Sequence, residues 1–160
     1  MTGYRIMLFL HVLAVVVGLG ATFAYPFLQA FAERNGVGAT RFMLRFTQRL
    51  QRMVVWPGAV VVLVFGIGLT FSDELTYKDD MPVWLTIAIV WYLAAFALDV
   101  FVQRRFVADA LKTLDGVADS AALPDAYVTL GKRIQMVGGV LGLTVVGIAF
   151  LMVWGANDGF

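Results

Sequence analysis

The stretch IQMVGGVLGLTVVGIAFLMVW, residues 134–154, decides the fold because it carries no charged side chain over a length that can cross a bilayer. A membrane-spanning helix needs about 20 mainly apolar residues. Three further apolar runs of similar length lie at residues 4–28, 53–71 and 82–102. Backbone polar groups in hydrocarbon must be bonded internally, so each run is predicted to be a helix. The sequence therefore predicts an all-α, integral membrane four-helix bundle, with residues 1–160 as a single transmembrane domain.

The composition agrees with a membrane protein and narrows the chemistry. Hydrophobic residues make up 61% of the chain and charged residues 14%, against roughly 45–50% and 25% in soluble domains. The net charge of +1 gives no strong attraction for nucleic acid. The absence of cysteine excludes disulfides, thiol nucleophiles and thiolate metal sites. The sequence also holds no nucleophile–base pair, phosphate loop or metal-ligand cluster, so we predict neither a catalytic site nor a metal site.

Positive charge is concentrated in two of the three connections between the runs. The first connection holds Arg34, Arg41, Arg45, Arg49 and Arg52, and the third holds Arg104, Arg105, Lys112, Lys132 and Arg133. The middle connection carries Asp73, Glu74, Asp79 and Asp80 against Lys78. Because cytoplasmic loops are enriched in Lys and Arg, both basic connections are predicted to be cytoplasmic and both termini outside. We expect a multi-pass protein of the plasma membrane.

The first basic connection has the pattern of a short amphipathic cytoplasmic helix, with Thr40 placed to cap it. One face carries Arg41, Arg45, Arg49 and Arg52, and the opposite face carries Phe42, Met43, Phe46 and Leu50. A helix of this kind lies on anionic headgroups. The four arginines are therefore predicted to contact lipid headgroups, either as a general anchor or as a specific lipid or partner site.

The two halves of the sequence resemble each other, which predicts two helical hairpins. At one constant offset, Arg52 aligns with Arg133, Gly58 with Gly139, and Gly66 with Gly147. Hairpins of the same orientation form a parallel repeat about an axis along the membrane normal. Within the fourth run, Gly138 and Gly142 form a GxxxG pattern, which favours close helix packing.

His11, the only histidine, shares a helix face with Ala14 and Gly18. At ~1.5 Å per residue it lies about 10 Å below the outer surface, where an ionisable side chain faces the bundle or a wet cavity. Two interpretations stay open. One is a structural hydrogen bond to Tyr92 or Thr144; the other is a ligand for metal or haem iron, or a proton relay. The small residues on its face predict that His11 points toward the third and fourth runs.

Asp99 is the second candidate within a run. By the same rise per residue it lies about 25 Å below the outer surface, about 15 Å deeper than His11. Its expected partners are the arginines at the basic boundary, namely Arg52, Arg104 or Arg133. We therefore predict a structural ion pair for Asp99, with a proton relay as the alternative.

A resemblance to known families rests on two motifs. The first run contains Leu10, His11 and Val12 followed by Gly18 and Gly20, and the second opens with Trp56, Pro57 and Gly58. This pattern resembles a family of uncharacterised bacterial predicted integral membrane proteins. It is also similar to the four-helix superfamily of copper-resistance protein D and the haem-binding membrane protoporphyrinogen oxidases. The resemblance implies that His11 binds haem b. Those oxidases have a lysine early in the third span, whereas this sequence has Trp84, Leu85 and Thr86, so the oxidase activity is not implied.

Three functions are compatible with these residues. The first is a non-catalytic binding or accessory membrane protein, which associates with itself as a homo-oligomer or with another membrane component. The second is a haem-binding redox protein that uses His11, and the third is a small membrane transporter. Because the sequence has no catalytic set, the first is our working prediction. The lipid bilayer is the partner expected in all three cases.

Overall fold

Four long helices make up the structure, a computed structural model that describes residues 2–72, 77 and 81–158. Their bounds are α1, Gly3–Arg34; α2, Val37–Thr70; α3, Val83–Thr113; and α4, Asp125–Gly155, which continues to Asp158. Within these described ranges there is no strand. The predicted all-α four-helix bundle is confirmed. The acidic residues Asp73, Glu74, Asp79 and Asp80 lie outside the described residues.

The helices are longer than the bilayer is thick. They contain 31 to 34 residues, or about 46–51 Å at ~1.5 Å per residue, against about 30 Å of hydrocarbon. Their surfaces expose large apolar side chains: Phe27 is 79% exposed and Leu143 73%. All four are long and apolar enough to cross a membrane. We call the end with the α1–α2 and α3–α4 connections the basic end, and the end with both termini the terminal end.

Three helices contain turns that depart from α geometry: α1 has two, the π-turn Val15–Leu19 and a 3₁₀ turn, and α2 and α3 have one each. A π-turn at Gln51–Val55 precedes the regular segment Trp56–Thr70, and a 3₁₀ turn at Ala21–Ala24 precedes Tyr25–Arg34. Each regular segment has a proline, Pro57 or Pro26, in its first turn. Proline lacks an N–H and its ring excludes the carbonyl four residues back, so the preceding turn departs from α geometry. The π-turn at Asp99–Gln103 in α3 has no such proline.

A cluster of buried hydrophobic residues lies at the basic end of the bundle. Its buried members are Val37, Leu44, Val107, Ala110, Leu114, Tyr127 and Ile134. The predicted amphipathic helix is present as the segment Val37–Leu50, but it is continuous with the second span and begins before Thr40. Thr40 is wrong as a cap: it is fully buried inside the helix, and its hydroxyl donates to the Gly36 carbonyl. Phe42 and Phe46 stay exposed and stack on each other.

Glycines determine how each hairpin packs. In the α1–α2 hairpin, a Cβ on Gly58 would lie 2.8 Å from the Cα of Gly18, so the two backbones are in direct contact. In the α3–α4 hairpin, the ring of Trp91 fills the space beside Gly147, and Trp84 fills the space beside Gly155. The face of α1 that carries Gly18 therefore packs on α2.

Two further predictions concern the GxxxG pattern of Gly138 and Gly142 and the aligned pair Gly66 and Gly147. A Cβ on Gly142 would meet no atom within 4 Å, and one on Gly138 only the Gln103 amide nitrogen at 3.8 Å. The GxxxG pattern thus makes no close helix contact here. Gly66 and Gly147, which align in the sequence, have one feature in common. Each leaves room for a side-chain ring of the preceding helix, that of His11 or that of Trp91. The parallel repeat itself stays a prediction.

The two hairpins meet mainly at the basic end. There Val37–Leu50 packs on Arg104–Thr113, and Tyr25–Arg34 packs on α4. The spanning segments Trp56–Thr70 and Val83–Leu98 make much less contact with each other. Space consequently remains between the hairpins along the membrane-spanning part of the bundle.

Candidate functional site

A cavity of about 640 Å³ occupies the space between the hairpins. Its lining extends from Tyr4 and Trp84 near the terminal end to Leu44 and Val107 near the basic end, and all four helices contribute to it. The walls are predominantly apolar, with a small number of polar side chains. Both the volume and this composition are typical of small-molecule binding sites, which measure about 300–1,000 Å³.

His11 lines this cavity with one nitrogen occupied and one available. Its Nδ1 lies 2.9 Å from the carbonyl oxygen of Val62 in α2. A carbonyl can only accept, so Nδ1 carries a proton, and in the neutral ring the lone pair is then on Nε2. Nε2 has no hydrogen-bond partner in the described part of the chain. Gly66 makes room for the ring, since a Cβ there would lie 3.1 Å from the His11 Cε1.

Tyr92 and Thr144 line the cavity but do not bond to His11, so the structural interpretation of His11 does not hold with these two partners. The Tyr92 hydroxyl donates to the Ala59 carbonyl at 2.8 Å and so connects α3 to α2 across the gap. Thr144 accepts from the Trp91 indole nitrogen at 3.2 Å, within the second hairpin. The acceptors of His11 and Tyr92 are three residues apart on α2, about 4.5 Å along the helix axis.

Asp99 lines the cavity toward the basic end, and its partners are neutral. One carboxylate oxygen accepts from the Trp56 indole nitrogen at 2.8 Å and the other from the Gln51 amide at 3.2 Å. No ion pair of Asp99 is present among the described residues, which corrects the predicted pairing with arginine. Arg104 instead lies over the Trp56 ring, 5.8 Å from its centroid.

Two buried polar atoms near Asp99 have no partner within the described ranges. They are the hydroxyl of Tyr25 and the amide oxygen Oε1 of Gln103. The Gln103 Nε2 group is satisfied, because it donates to the Ile134 carbonyl at 3.2 Å. Sequence reasoning missed both residues. Gln103 lies one helical turn after Asp99 on the same face, and this spacing is the signal from which a shared polar surface could be inferred.

The four arginines predicted to contact lipid headgroups divide into one structural residue and three exposed ones. Arg41 donates to the Asp119 carboxylate at 2.7 Å and to the carbonyls of Leu114 and Val117 at 2.6 and 2.7 Å. It therefore fixes the α3–α4 connection against α2. The remaining members, Arg45, Arg49 and Arg52, are exposed. Headgroup contact stays a prediction for the set.

Comparison with known families identifies the family of the chain. A family model described as "Predicted integral membrane protein (DUF2269)" matches residues 5–155. The chain belongs to this family. The matched region of this DUF2269 protein contains all the cavity-lining polar residues described above, from His11 to Thr144. With its four apolar helices it is a multi-pass integral membrane protein surrounded by lipid. No curated protein and no solved structure matches the chain.

Proposed function

We propose that this DUF2269 protein is a non-catalytic binding protein of the membrane, which holds a small apolar molecule in the cavity between its hairpins. The observation that carries the proposal is His11, whose ring is fixed by the Val62 carbonyl while Nε2 remains available at the cavity. A histidine held in this way presents one defined lone pair to a ligand. The apolar walls supply burial, and Nε2 supplies one directed polar contact.

Haem is the second candidate, and the tautomer of His11 favours it. Histidines that bind metals usually donate their other ring N–H to a carbonyl or carboxylate, as Nδ1 does here. His11 would hold the iron through Nε2, and Met152, which also lines the cavity, is a residue type found at haem iron. A bound haem would supply one-electron redox chemistry. The resemblance of His11 to the first-span histidine of membrane protoporphyrinogen oxidases supports the same assignment.

The test is whether a molecule co-purifies with the protein and depends on His11. Wild-type protein in a non-ionic detergent should release a small apolar molecule, detected by native mass spectrometry, and a Soret band would identify that molecule as haem. His11→Ala should lower its retention by about tenfold or more, because one directed polar contact in an apolar site is lost.

Leu13→Ala is the matched control, since Leu13 is exposed on the same helix and lies outside the cavity lining. It should retain the molecule at the wild-type level. A wild-type protein that carries no molecule and binds no apolar probe would refute the binding function. Retention that is unchanged in His11→Ala would refute the role of the histidine.

We also infer that the basic end faces the cytoplasm of a plasma-membrane protein, because arginines are concentrated in both connections there. Single cysteines introduced at Thr2 and Asn157 should react with a membrane-impermeant thiol reagent in intact cells. A cysteine at Asn35 should react only after the cells are permeabilised. The native chain has no cysteine that would give background labelling. Labelling of intact cells at Asn35 alone would reverse the orientation.

A further inference from the structure

The polar groups of the cavity are not spread evenly along it. His11 is held by Val62, whereas Asp99 is held by Gln51 and Trp56, nearer to the basic end of α2. The separation of Val62 and Gln51 along α2 is about 16 Å at ~1.5 Å per residue. The cavity thus has a polar half near the basic end and a more apolar half around His11.

Three polar side chains, one from α1 and two from α3, line the polar half. Gly18 faces Gly58 in the antiparallel α1–α2 hairpin, so Tyr25 of α1 is level with Gln51 of α2, the residue that binds Asp99. Gln103 lies one turn after Asp99 on α3. Tyr25, Asp99 and Gln103 all line the cavity.

The unused hydrogen-bonding groups in this half are mainly acceptors. Gln103 is 7% exposed, and its Oε1 has no donor within the described residues. The Asp99 carboxylate has one neutral donor on each oxygen and spare lone pairs. The Tyr25 hydroxyl, also unpartnered, can donate or accept. A buried polar group without a partner destabilises the protein. A bound molecule that supplies the missing hydrogen bonds would remove this cost, so these atoms favour binding of such a molecule.

From this arrangement we propose that the polar half is a headgroup site for an amphipathic ligand. The head of this ligand carries hydrogen-bond donors, with an ammonium preferred over a hydroxyl, and its apolar part extends toward His11. The inference rests on the proposed binding function and adds the chemical class of the ligand. An ammonium head would give Asp99 the opposite charge that it lacks among the described residues, and its protons would satisfy Gln103 Oε1. A carboxylate head would be repelled by Asp99.

Three probes of ten carbon atoms each separate these head groups: decylamine, decanol and decanoate. Binding to delipidated full-length protein in a non-ionic detergent is measured by native mass spectrometry. We expect decylamine to bind most tightly and decanoate most weakly, with about a 10- to 100-fold difference between them, as for a hydrogen bond to a charged group. Asp99→Asn should bring the affinity for decylamine down to that for decanol.

Asp109→Asn is the matched control. It makes the same change of charge at an exposed residue outside the cavity lining and should keep the wild-type order of the three probes. Should Asp99→Asn fail to fold, Tyr25→Phe removes a single hydroxyl. That variant should weaken the binding of decylamine and decanol about two- to tenfold.

The outcomes distinguish the two proposals. If the wild-type protein binds all three probes equally, or prefers decanoate, the headgroup site is refuted while the binding function stands. The same holds if the preference for decylamine survives in Asp99→Asn. If none of the probes binds to the wild-type protein, the binding function fails and the headgroup site fails with it.

Discussion

Replacing Gly58 with leucine should separate α1 from α2 and leave little folded protein in the membrane. A Cβ at this position would lie 2.8 Å from the Gly18 Cα and 3.8 Å from the Ala14 carbonyl oxygen. Both neighbours belong to the backbone, so the clash can be relieved only by moving a whole helix. Even Gly58→Ala should lower the free energy of unfolding by about 1–3 kcal/mol, the usual effect of overpacking, and leucine should lower it further.

The control is Gly139→Leu, at the position that aligns with Gly58 in the second half of the sequence. A Cβ there would meet no atom within 4 Å, and replacing glycine inside a helix also favours the helical state. Thermal melting in detergent should therefore show a large decrease for Gly58→Leu and little change for Gly139→Leu. Equal decreases in melting temperature for both variants would show that the Gly18–Gly58 contact does not cause the loss of stability.

Removing the side chain of Tyr127 should loosen the joint between the two hairpins. Tyr127 is 1% exposed; its hydroxyl donates to the Glu33 carboxylate at 2.7 Å and accepts from the Gln29 amide at 2.6 Å. Tyr127→Ala leaves a cavity in the core and deprives Glu33 of a donor. We expect the free energy of unfolding to fall by about 3–5 kcal/mol, as for other buried aromatic residues replaced by alanine.

The effect divides into packing and hydrogen bonding. Tyr127→Phe keeps the ring and should lower the free energy of unfolding by about 1–3 kcal/mol, because Glu33 and Gln29 each lose a partner. Val128→Ala, at the exposed neighbouring residue, serves as the control in the same melting assay. A melting temperature for Tyr127→Ala equal to that of Val128→Ala would show that Tyr127 does not stabilise the contact between the two hairpins.

The four helices could be predicted from the sequence because their cause is local. An apolar run of bilayer length forms a helix whatever its neighbours are, since no other structure satisfies its backbone in lipid. The helix ends were harder to predict. Thr40 has the chemistry of a cap, but Gly36, with its φ of +94°, already redirects the chain before Val37. The buried apolar residue Val37 then favours an earlier start.

The partners of the polar residues could not be predicted in the same way. Counting depth offers Tyr92 or Thr144 as a partner for His11, yet its partner is a main-chain carbonyl, which every residue possesses and which no side-chain pattern indicates. Charge predicts an arginine as the partner of Asp99. The actual donors are Gln51 and Trp56, which depend on how the hairpins are placed relative to each other. Depth and charge limit the choices, but the packing of the helices selects among them.

The carbonyls of Val62 and Ala59 have a consequence for mutagenesis and for sequence comparison. His11 and Tyr92 bond to main-chain oxygens of α2, so alanine scanning of this helix leaves both acceptors in place. Residues of similar size can be exchanged at positions 59 and 62 while each hydrogen bond persists. Covariation between the two ends of either bond is accordingly not expected. The selective constraint falls on the histidine and the tyrosine alone, and a contact map inferred from coevolving pairs would omit the two bonds that hold these rings on α2.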